Sequence, residues 1–272
     1  MSSNQASRPS PFTGSIPRHY DEYLGPLFFE DYAIEMAARI EPSRIKDALE
    51  LSCGTGRVTN HIRKALSPTG NFTASDLSAE MLEVAKEKVN DNRINWRIVD
   101  FTQIPFADAS LDLVVCAFGY MFAENKVQAF TEAQRVLRPG GMLLFSTWDS
   151  LEANGASEVF RRTVKAYLGD SLPWTYNIPF SMSDPELINE QLRSAGFSTS
   201  KAEPVDKMSK CESARKATYG MVQGGSLYNE IIKRNPAWIG EISATVEKEL
   251  SEKYGAAPMS APMRAFIIQA WK

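Results

Sequence analysis

Apolar segments of strand length alternate with amphipathic segments along the first half of the chain. Five runs have the length and composition of buried strands: 47–51, 72–75, 94–99, 111–116 and 142–147. Between them, apolar residues recur three or four positions apart, which predicts helices over 56–66, 78–89 and 126–137. Strands and helices that alternate in this order form a mainly parallel sheet covered on both faces. The pattern therefore predicts a doubly wound α/β fold.

The pattern changes on both sides of this alternation. Residues 1–15 are polar and interrupted by proline, which predicts a mobile tail. Residues 16–42 are aromatic with helical spacing, so we expect an N-terminal helical lid on a domain that spans 43–272. Within that domain, residues 207–257 are predicted to form an inserted helical cap, and 263–271 a final apolar strand.

The charge balance and the longest apolar run exclude two classes of partner. The chain has 272 residues, with 30 Lys and Arg against 33 Asp and Glu, and a formal net charge of -3. This slight acidity argues against a large nucleic-acid surface, which needs a strong basic excess. The longest nearly apolar run, 113–123, is about half the ~20 residues that a membrane-spanning helix needs. We therefore expect no nucleic-acid partner and no membrane insertion.

Three cysteines, Cys53, Cys116 and Cys211, are far apart and form no C-x-x-C pair. They predict neither a zinc site nor a disulfide framework, so we expect no metal. No basic segment followed by an apolar one opens the chain, which argues against a secretory leader. Both observations favour the reducing cytoplasm.

The segment Glu50-Leu51-Ser52-Cys53-Gly54-Thr55-Gly56 joins the first strand to the first helix. Gly54 and Gly56 would let the backbone approach a ligand closely, and free N–H groups at the helix end can bind one. Asp76 ends the second strand, 20 residues after Gly56, where a doubly wound fold places an acid against a ribose diol. Together these features favour a cofactor that contains adenosine over a purely structural turn.

Further residues distinguish between adenosine cofactors. A nicotinamide site requires a third small residue where Thr59 stands, and its pyrophosphate lies on the helix N-terminus. Glu50 instead lies directly before the turn, and a carboxylate there suits a cofactor that carries an ammonium and a sulfonium. Asp100 and Phe101 follow the third strand and can supply an acceptor for the adenine amine and an apolar face for its ring.

In this order and at this spacing, these segments resemble the class I S-adenosylmethionine (SAM)-dependent methyltransferases, within the methyltransferase type 11 group that includes quinone C-methyltransferases. The resemblance spans about residues 45–147 and rests on five segments: 48–56, 74–78, 100–102, 106–114 and 135–141. It implies a Rossmann-like sheet of seven strands, the last of them antiparallel, with a helical cap. It also implies methyl transfer from SAM, with release of S-adenosylhomocysteine.

The resemblance also implies which residues hold the cofactor. It places Glu50, Ser52, Gly54 and Gly56 around the methionine part of SAM, and Asp76 on the ribose hydroxyls. The remaining contacts implied are Leu77, Met81, Asp100 and Phe101 for the adenine, and Ala117 and Phe118 for the sulfonium end. Cys53 stands where many members have Gly or Ala, and we interpret it as a small filler.

Residues 19–26 resemble the segment that folds over SAM in related small-molecule methyltransferases, and Tyr23 is the cofactor contact expected there. If the acceptor must lose a proton, His19, Tyr20 and Tyr120 are the candidate catalytic groups. The residues after the fourth and fifth strands are mostly apolar or aromatic, without a basic cluster: Phe118, Tyr120, Met121, Phe122 and Trp148. Because a polyanion would need Arg or Lys, we expect a small, mostly apolar or aromatic acceptor, methylated on an O, N or C atom.

Two other classes of function are compatible with the sequence. A nicotinamide-dependent oxidoreductase would share the fold, although the third glycine of its fingerprint is absent. A non-catalytic SAM-binding regulator would share both the fold and the cofactor site. The sequence is equally compatible with a monomer and a homodimer.

Overall fold

Seven strands form one mixed sheet at the centre of residues 12–272, which are the residues that the computed structural model describes. The strands are β1 (Asp47–Leu51), β2 (Asn71–Asp76), β3 (Ile94–Ile98), β4 (Leu111–Ala117), β5 (Leu137–Trp148), β6 (Thr199–Cys211) and β7 (Met259–Trp271). Their order across the sheet is β3-β2-β1-β4-β5-β7-β6. Strands β1 to β5 are parallel, and β7 lies antiparallel between β5 and β6. The predicted seven-stranded α/β sheet with an antiparallel last strand is confirmed.

The helices of the described residues precede, connect and cover these strands. Besides four short 3-10 helices, they are α1 (Ile16–His19), a π-helix (Tyr20–Phe29), α2 (Glu30–Ala38), α3 (Arg57–Ala65), α4 (Ala79–Val89), α5 (Lys126–Val136), α6 (Gly155–Leu168), α7 (Pro185–Ser194), α8 (Ala214–Gln223), α9 (Tyr228–Arg234) and α10 (Trp238–Tyr254). Within residues 12–272, every helix is too short or too polar to span a bilayer.

Side chains determine where some of these helices begin. Ser78 Oγ accepts a 3.3 Å hydrogen bond from the N–H of Met81 at the start of α4. Asp184 accepts one of 2.9 Å from the N–H of Glu186 at the start of α7, and Pro185 occupies the first helical position. These contacts satisfy N–H groups that a helix end leaves without an intrahelical partner. The cap at Ser78 makes α4 begin directly after β2, at the edge of the sheet where the site lies.

The order of the strands determines where a ligand can bind. From β1, the chain winds to β2 and β3 on one side and to β4 and β5 on the other. In open α/β sheets, ligands bind at this reversal, outside the carboxyl ends of the strands. Residues 52–56 and 118–123 leave the sheet at that point, after β1 and β4.

The structure differs from the sequence prediction at the edge of the sheet. Residues 207–211, expected to begin the helical cap, form the end of β6, and the cap helices begin at Ala214. β6 is an edge strand with exposed charged residues, among them Lys201, Asp206 and Lys210. Such charges protect an edge from pairing with another chain. They also remove the apolar alternation by which a strand is recognised in a sequence.

The cap and the N-terminal segment share a second apolar core, separate from the one around the sheet. Helices α6, α8, α9 and α10 bury a cluster that includes Val159, Met221 and Ile242, and the π-helix adds Leu24 and Leu27. The N-terminal segment is therefore helical, as expected, and it is anchored in the cap by apolar packing. Residues 1–11 of the predicted tail lie outside the described residues.

Candidate active site

The turn after β1 has three residues with positive φ: Ser52 at 52°, Gly54 at 55° and Gly56 at 76°. A Cβ on Gly54 would meet no heavy atom within 4 Å, so this glycine borders open space. A Cβ on Gly56 would lie 3.0 Å from the Ala85 and Val89 side chains of α4. Gly56 therefore permits close packing of α3 against α4, and Gly54 is the glycine that a ligand can approach.

Asp76, at the end of β2, is joined to this turn by its carboxylate. Its Oδ2 accepts a 2.8 Å hydrogen bond from the N–H of Gly54, and its Oδ1 accepts one of 2.8 Å from Ser78. Burial raises the pKa of Asp76, although these backbone N–H groups oppose the shift. The structure thus brings the glycine turn and the acidic strand end together, as the sequence predicts.

Glu50 lies in β1 directly below the turn and is fully buried. Neither of its carboxylate oxygens has a hydrogen-bond partner within residues 12–272. Burial raises the pKa of Glu50 to about 8; the nearby Thr59 hydroxyl opposes this rise, and the Asp76 carboxylate adds to it. A buried carboxylate without partners can be satisfied by a cationic or hydrogen-donating ligand.

The residues predicted beside an adenine lie at the carboxyl ends of β2 and β3. Asp100 is half-buried, and its Oδ1 accepts hydrogen bonds of 2.8 and 2.7 Å from the N–H and hydroxyl of Thr102. Phe101 is half-buried, Met81 is buried, and Leu77 is 44% exposed. The topology brings these side chains to the same edge of the sheet as the glycine turn.

The loops after β1 and β4 approach each other closely. A Cβ on Gly119 would lie 2.6 Å from the side chain of Ser52 and 2.6 Å from Cys116 Sγ, so only glycine permits this approach. The adjacent Phe118 has a φ of 52°, and its N–H donates a 3.1 Å hydrogen bond to the carbonyl of Ser146. The tight turn places Ala117 and Phe118 beside the glycine turn.

An apolar cleft, open to solvent on one side, lies beside the loop after β4. Its walls come from the N-terminal segment, the loop after β4, the end of β5 and the cap, and they include Tyr20, Phe29, Phe118, Met121, Phe122, Trp148, Phe160, Arg161, Phe180, Met221 and Leu227. The Phe118 and Trp148 rings are stacked with their centroids 4.2 Å apart. The aromatic lining of the cleft favours an apolar ligand.

Of the three residues predicted as catalytic groups, the structure brings only Tyr20 to the cleft. Tyr20 lines it, with its ring stacked on Phe29 at 5.2 Å, and burial raises the pKa of its hydroxyl. His19 lies outside, where Nδ1 is 3.0 Å from the carbonyl of Ser15 and Nε2 is 3.3 Å from the hydroxyl of Tyr219.

Tyr120 is enclosed in the sheet core and does not line the cleft. Its side chain is fully buried, with ring centroids 5.0 Å from Phe130 and 5.5 Å from Phe145. Its hydroxyl has no partner within the described residues, and burial raises its pKa well above the ordinary value. Contacts with Phe130 and Phe145, which come from later segments of the chain, determine this orientation. The position of Tyr120 after β4 does not reveal it.

Tyr23 does not meet the glycine turn either. It packs against α8, where its ring lies 4.9 Å from that of Tyr219. A Cβ on Gly220 would lie 2.6 Å from the Tyr23 Cβ, so the two backbones are in close contact. Tyr23 therefore joins the π-helix to α8 of the cap.

Polar contacts that the sequence analysis did not identify join the N-terminal segment to the glycine turn. Thr55 Oγ1 donates a 2.8 Å hydrogen bond to Asp21, whose carboxylate also pairs with Lys88. Arg57 donates to the Asp21 carbonyl at 2.8 Å and to Glu30 at 2.5 Å. The short polar run around Asp21 and the arginine after the last glycine are the signals that could have revealed this junction.

Arg161 is a second residue that the sequence analysis missed. It lies in the wall of the cleft and is only 8% exposed. Burial lowers the pKa of Arg161 to about 10. The signal in the sequence is its helical position, because Arg161 shares one face of α6 with the apolar residues Val164 and Leu168.

The sequence of the sheet and its turns is similar to that of known methyltransferases. Residues 49–145 match the family model of the methyltransferase domain. Demethylmenaquinone methyltransferases from several strains of Staphylococcus aureus are 29% identical over 203 residues, which cover 67% of this chain and 82% of theirs. Residues 49–145 contain most of β1, all of β2 to β4, and the loop after β4 that lines the cleft.

Solved structures of low sequence identity share the fold. Phosphoethanolamine N-methyltransferase 2 of Haemonchus contortus, in complex with SAM, has a TM-score of 0.60 and 17% identity, covering 97% of this chain and 58% of that one. A SAM-dependent methyltransferase from Aquifex aeolicus has a TM-score of 0.51 and 18% identity, covering 72% of this chain and 92% of that one. The architecture is therefore the Rossmann-like one of these enzymes.

Proposed function

Because this chain is a class I SAM-dependent methyltransferase, we propose that it methylates a small, mostly apolar or aromatic acceptor. The observation that carries the proposal is the aromatic cleft beside the loop after β4. An O, N or C atom of the acceptor forms the new bond to the methyl carbon. The carbon–sulfur bond breaks with its electrons on sulfur, which leaves S-adenosylhomocysteine, and any displaced proton goes to solvent.

The buried groups at the turn suit the methionine and ribose parts of SAM. Glu50 offers two buried carboxylate oxygens without partners, which an ammonium would satisfy. Gly54 leaves open space that a Cβ would fill, and Ser52 lies in the same turn. The Asp76 carboxylate can accept hydrogen bonds from the ribose hydroxyls. These would either replace the hydrogen bond that it accepts from the Gly54 N–H or form beside it. Gly56 contributes indirectly, through the packing of α3 on α4.

The adenine is proposed to lie at the ends of β2 and β3. Leu77 and Phe101 offer apolar surface, and the Asp100 carboxylate can accept a hydrogen bond from the exocyclic amine. Met81, buried in the first turn of α4, is proposed to add further apolar surface there. Ala117 and Phe118 would border the sulfonium end, because the loop after β4 contacts the glycine turn.

SAM supplies an electrophilic methyl group that needs no further activation, so the protein acts mainly by orientation and exclusion of water. Phe118 belongs both to the loop beside the turn and to the wall of the cleft. Trp148 stacks on Phe118 and extends the same wall. The two rings would hold a flat acceptor against the face at which the methyl group arrives.

Tyr20 is proposed as an orienting group rather than a general base. Burial raises the pKa of its hydroxyl, so it stays protonated at neutral pH and can donate a hydrogen bond to the acceptor. Tyr20 lines the cleft, where its hydroxyl can face an acceptor. His19, Tyr23 and Tyr120 are not needed in this arrangement.

The Staphylococcus aureus relatives are named for a quinone acceptor. A planar ring system of that kind suits a cleft lined by Phe29, Phe118, Phe122 and Trp148. The lining favours a ring system over an extended charged chain as the acceptor of this enzyme.

The test is methyl transfer from SAM labelled on its methyl group to a panel of phenols, quinols, aromatic amines and indoles. We expect labelled product with at least one of them, and its loss in Asp76→Ala. SAM binding without transfer to any small molecule or extract would support a regulator instead. Transfer only to nucleic acid or to a polyphosphate would contradict the proposed acceptor class.

A further inference from the structure

Arg161 is a charged residue in an otherwise apolar wall. It belongs to α6, is 8% exposed, and lines the cleft together with Phe160, Phe180 and Leu227. Its guanidinium carbon lies 5.4 Å from the ring centroid of Tyr176 and 5.1 Å from that of Phe180. Its Nη1 is buried and has no hydrogen-bond partner within residues 12–272.

The described residues provide no counter-ion for this guanidinium. None of the ion pairs within residues 12–272 includes Arg161. Glu158, one helical turn earlier, instead pairs with Arg162 at 2.8 Å and with Lys253 at 4.0 Å. Residues 1–11 contain neither Asp nor Glu, so they offer no side-chain carboxylate.

A buried cation without an anion is costly, and its surroundings offset only part of that cost. The rings of Tyr176 and Phe180 attract the guanidinium through their π faces. They do not satisfy its N–H groups, as the partnerless Nη1 demonstrates. A planar guanidinium held between rings is well prepared to accept a planar carboxylate with two parallel hydrogen bonds.

We propose that Arg161 binds a carboxylate of the methyl acceptor, so that the acceptor is a small aromatic or apolar acid with a single negative charge. This inference rests on the proposed function, because it assigns the cleft to the acceptor. A single charge follows from the lining, in which Arg161 is the one charged residue among those described. The remaining aromatic wall accommodates the uncharged part of the acceptor.

The carboxylate of SAM itself is the other source of the same chemistry. The cleft residues do not include Glu50, Gly54 or Asp76, and Arg161 belongs to α6, which packs in the apolar core of the cap. This position favours the acceptor as the source. The SAM carboxylate is therefore treated as an outcome of the test.

The test compares carboxylic acids with their neutral amides. The probes are 4-hydroxybenzoate, 2-naphthoate and indole-3-acetate, each beside its amide, titrated calorimetrically into protein saturated with S-adenosylhomocysteine. We expect at least one acid to bind tenfold or more tightly than its amide. A preference below tenfold in every pair would overturn the inference.

Two variants locate that preference. Arg161→Met removes the charge at similar length and should abolish the preference, whereas Arg161→Lys should retain part of it. Arg162→Met is the matched control on the neighbouring, half-exposed position and should leave the preference intact. Persistence of the preference in Arg161→Met would contradict the assignment. If Arg161→Met does not fold, the comparison of acids with amides in the wild-type protein still decides.

Affinity for S-adenosylhomocysteine separates this inference from the proposed function. We expect Arg161→Met to keep that affinity within threefold. A tenfold loss would assign Arg161 to the carboxylate of the cofactor and overturn the inference. Failure of the wild-type protein to bind S-adenosylhomocysteine, or to methylate any small molecule, would count against the proposed function. The acid and amide comparison needs no turnover and can be repeated on the free protein.

Discussion

The hydroxyl of Thr55, in the glycine turn, donates a 2.8 Å hydrogen bond to the carboxylate of Asp21, in the N-terminal π-helix. The same carboxylate pairs with Lys88 of α4, and Arg57 reaches the Asp21 carbonyl at 2.8 Å. Asp21 is thus the point at which the N-terminal segment is fastened to the strand-turn-helix unit proposed to hold the cofactor. A segment anchored in this way can close the site only while these contacts persist.

Loss of the hydrogen bond between Thr55 and Asp21 should loosen the N-terminal segment without unfolding the sheet. We expect Asp21→Ala to weaken S-adenosylhomocysteine binding by about 1–2 kcal/mol, because hydrogen bonds to a charged partner are lost. Hydrogen exchange should show faster exchange in residues 16–30. Glu87→Ala removes the exposed pair with Arg18, 3.1 Å long, and should change affinity by less than about 0.5 kcal/mol. Equal behaviour of the two variants would argue against a lid fastened by Asp21.

The part of the site that is local in sequence could be predicted from the sequence. Glu50, Gly54 and Asp76 lie on two consecutive β-turn-α connections, where strand topology determines the side on which each residue emerges. The residue types and their spacing along the chain are therefore enough to predict that these three residues lie at the same edge of the sheet. The role of Gly56 could not be obtained in this way, because its need for a small side chain comes from Ala85 and Val89 of another helix.

The part that depends on distant packing could not be predicted. His19 and Tyr23 face α8, which lies about 200 residues further along the chain. The sequence also leaves open whether the apolar face of α6 meets a core or a cleft, and that choice decides the environment of Arg161. Edge strand β6 was missed for a related reason, since its pairing with β7 forms through backbone groups that carry no side-chain signal.

Gly54 and Gly140 allow a controlled test of the cofactor turn. Both have positive φ, 55° and 79°, and a Cβ on either would meet nothing within 4 Å. Valine should therefore strain the backbone at both positions, but it should block a ligand only at Gly54. We expect Gly54→Val to weaken SAM binding at least tenfold by calorimetry, and Gly140→Val to leave it within threefold. Similar losses in both would trace the effect to strain.

Asp76→Ala should weaken SAM binding by about 1.5–3 kcal/mol, the scale of hydrogen bonds to a charged partner. The carboxylate also holds the N–H groups of Gly54 and Ser78, so part of the loss would come from a looser turn. Asp76→Asn keeps an oxygen for those groups and should lose less. Affinity for 2′-deoxy-SAM separates the loss of a ribose contact from the loosening of the turn. If Asp76 contacts the ribose, the wild type should bind SAM more tightly than 2′-deoxy-SAM, and Asp76→Ala should bind the two equally.

Glu50 should make the free protein less stable as the pH rises. Its folded pKa of about 8 lies above its unfolded value, so the folded state binds more protons between about pH 4.5 and 8, and the free energy of unfolding falls across that window. Glu50→Gln should thus stabilise the free protein at pH 8 by about 1–3 kcal/mol and have little effect at pH 4.5. Urea unfolding at both pH values is the measurement. A stabilisation independent of pH would contradict the assigned titration.

SAM binding should release protons from the same carboxylate. At pH 6.5 the free protein keeps Glu50 neutral, since its pKa is about 8, whereas an adjacent ammonium favours the charged form. The amino group of the ligand has an ordinary pKa of about 7.7–8.0 and is already protonated at that pH, so it takes up few protons on binding. Calorimetry in buffers of different ionisation enthalpy should give a release of up to about one proton, absent in Glu50→Gln. No release in the wild type would place the ammonium elsewhere.

Tyr20→Phe should lower the rate of methyl transfer without changing SAM affinity. The hydroxyl stays protonated in the neutral range because burial raises its pKa, so it orients the acceptor by donating a hydrogen bond. We expect kcat/KM for the acceptor to fall about 10- to 100-fold, with no change in the shape of the pH–rate profile between pH 6 and 9. Loss of a rising limb in that range would instead identify Tyr20 as a base.

Two variants serve as controls for Tyr20→Phe. His19→Ala changes a residue outside the cleft, and Tyr120→Phe removes a buried hydroxyl that has no partner among the described residues. Both should keep near-wild-type rates. A larger loss in either control than in Tyr20→Phe would move the orienting role away from Tyr20.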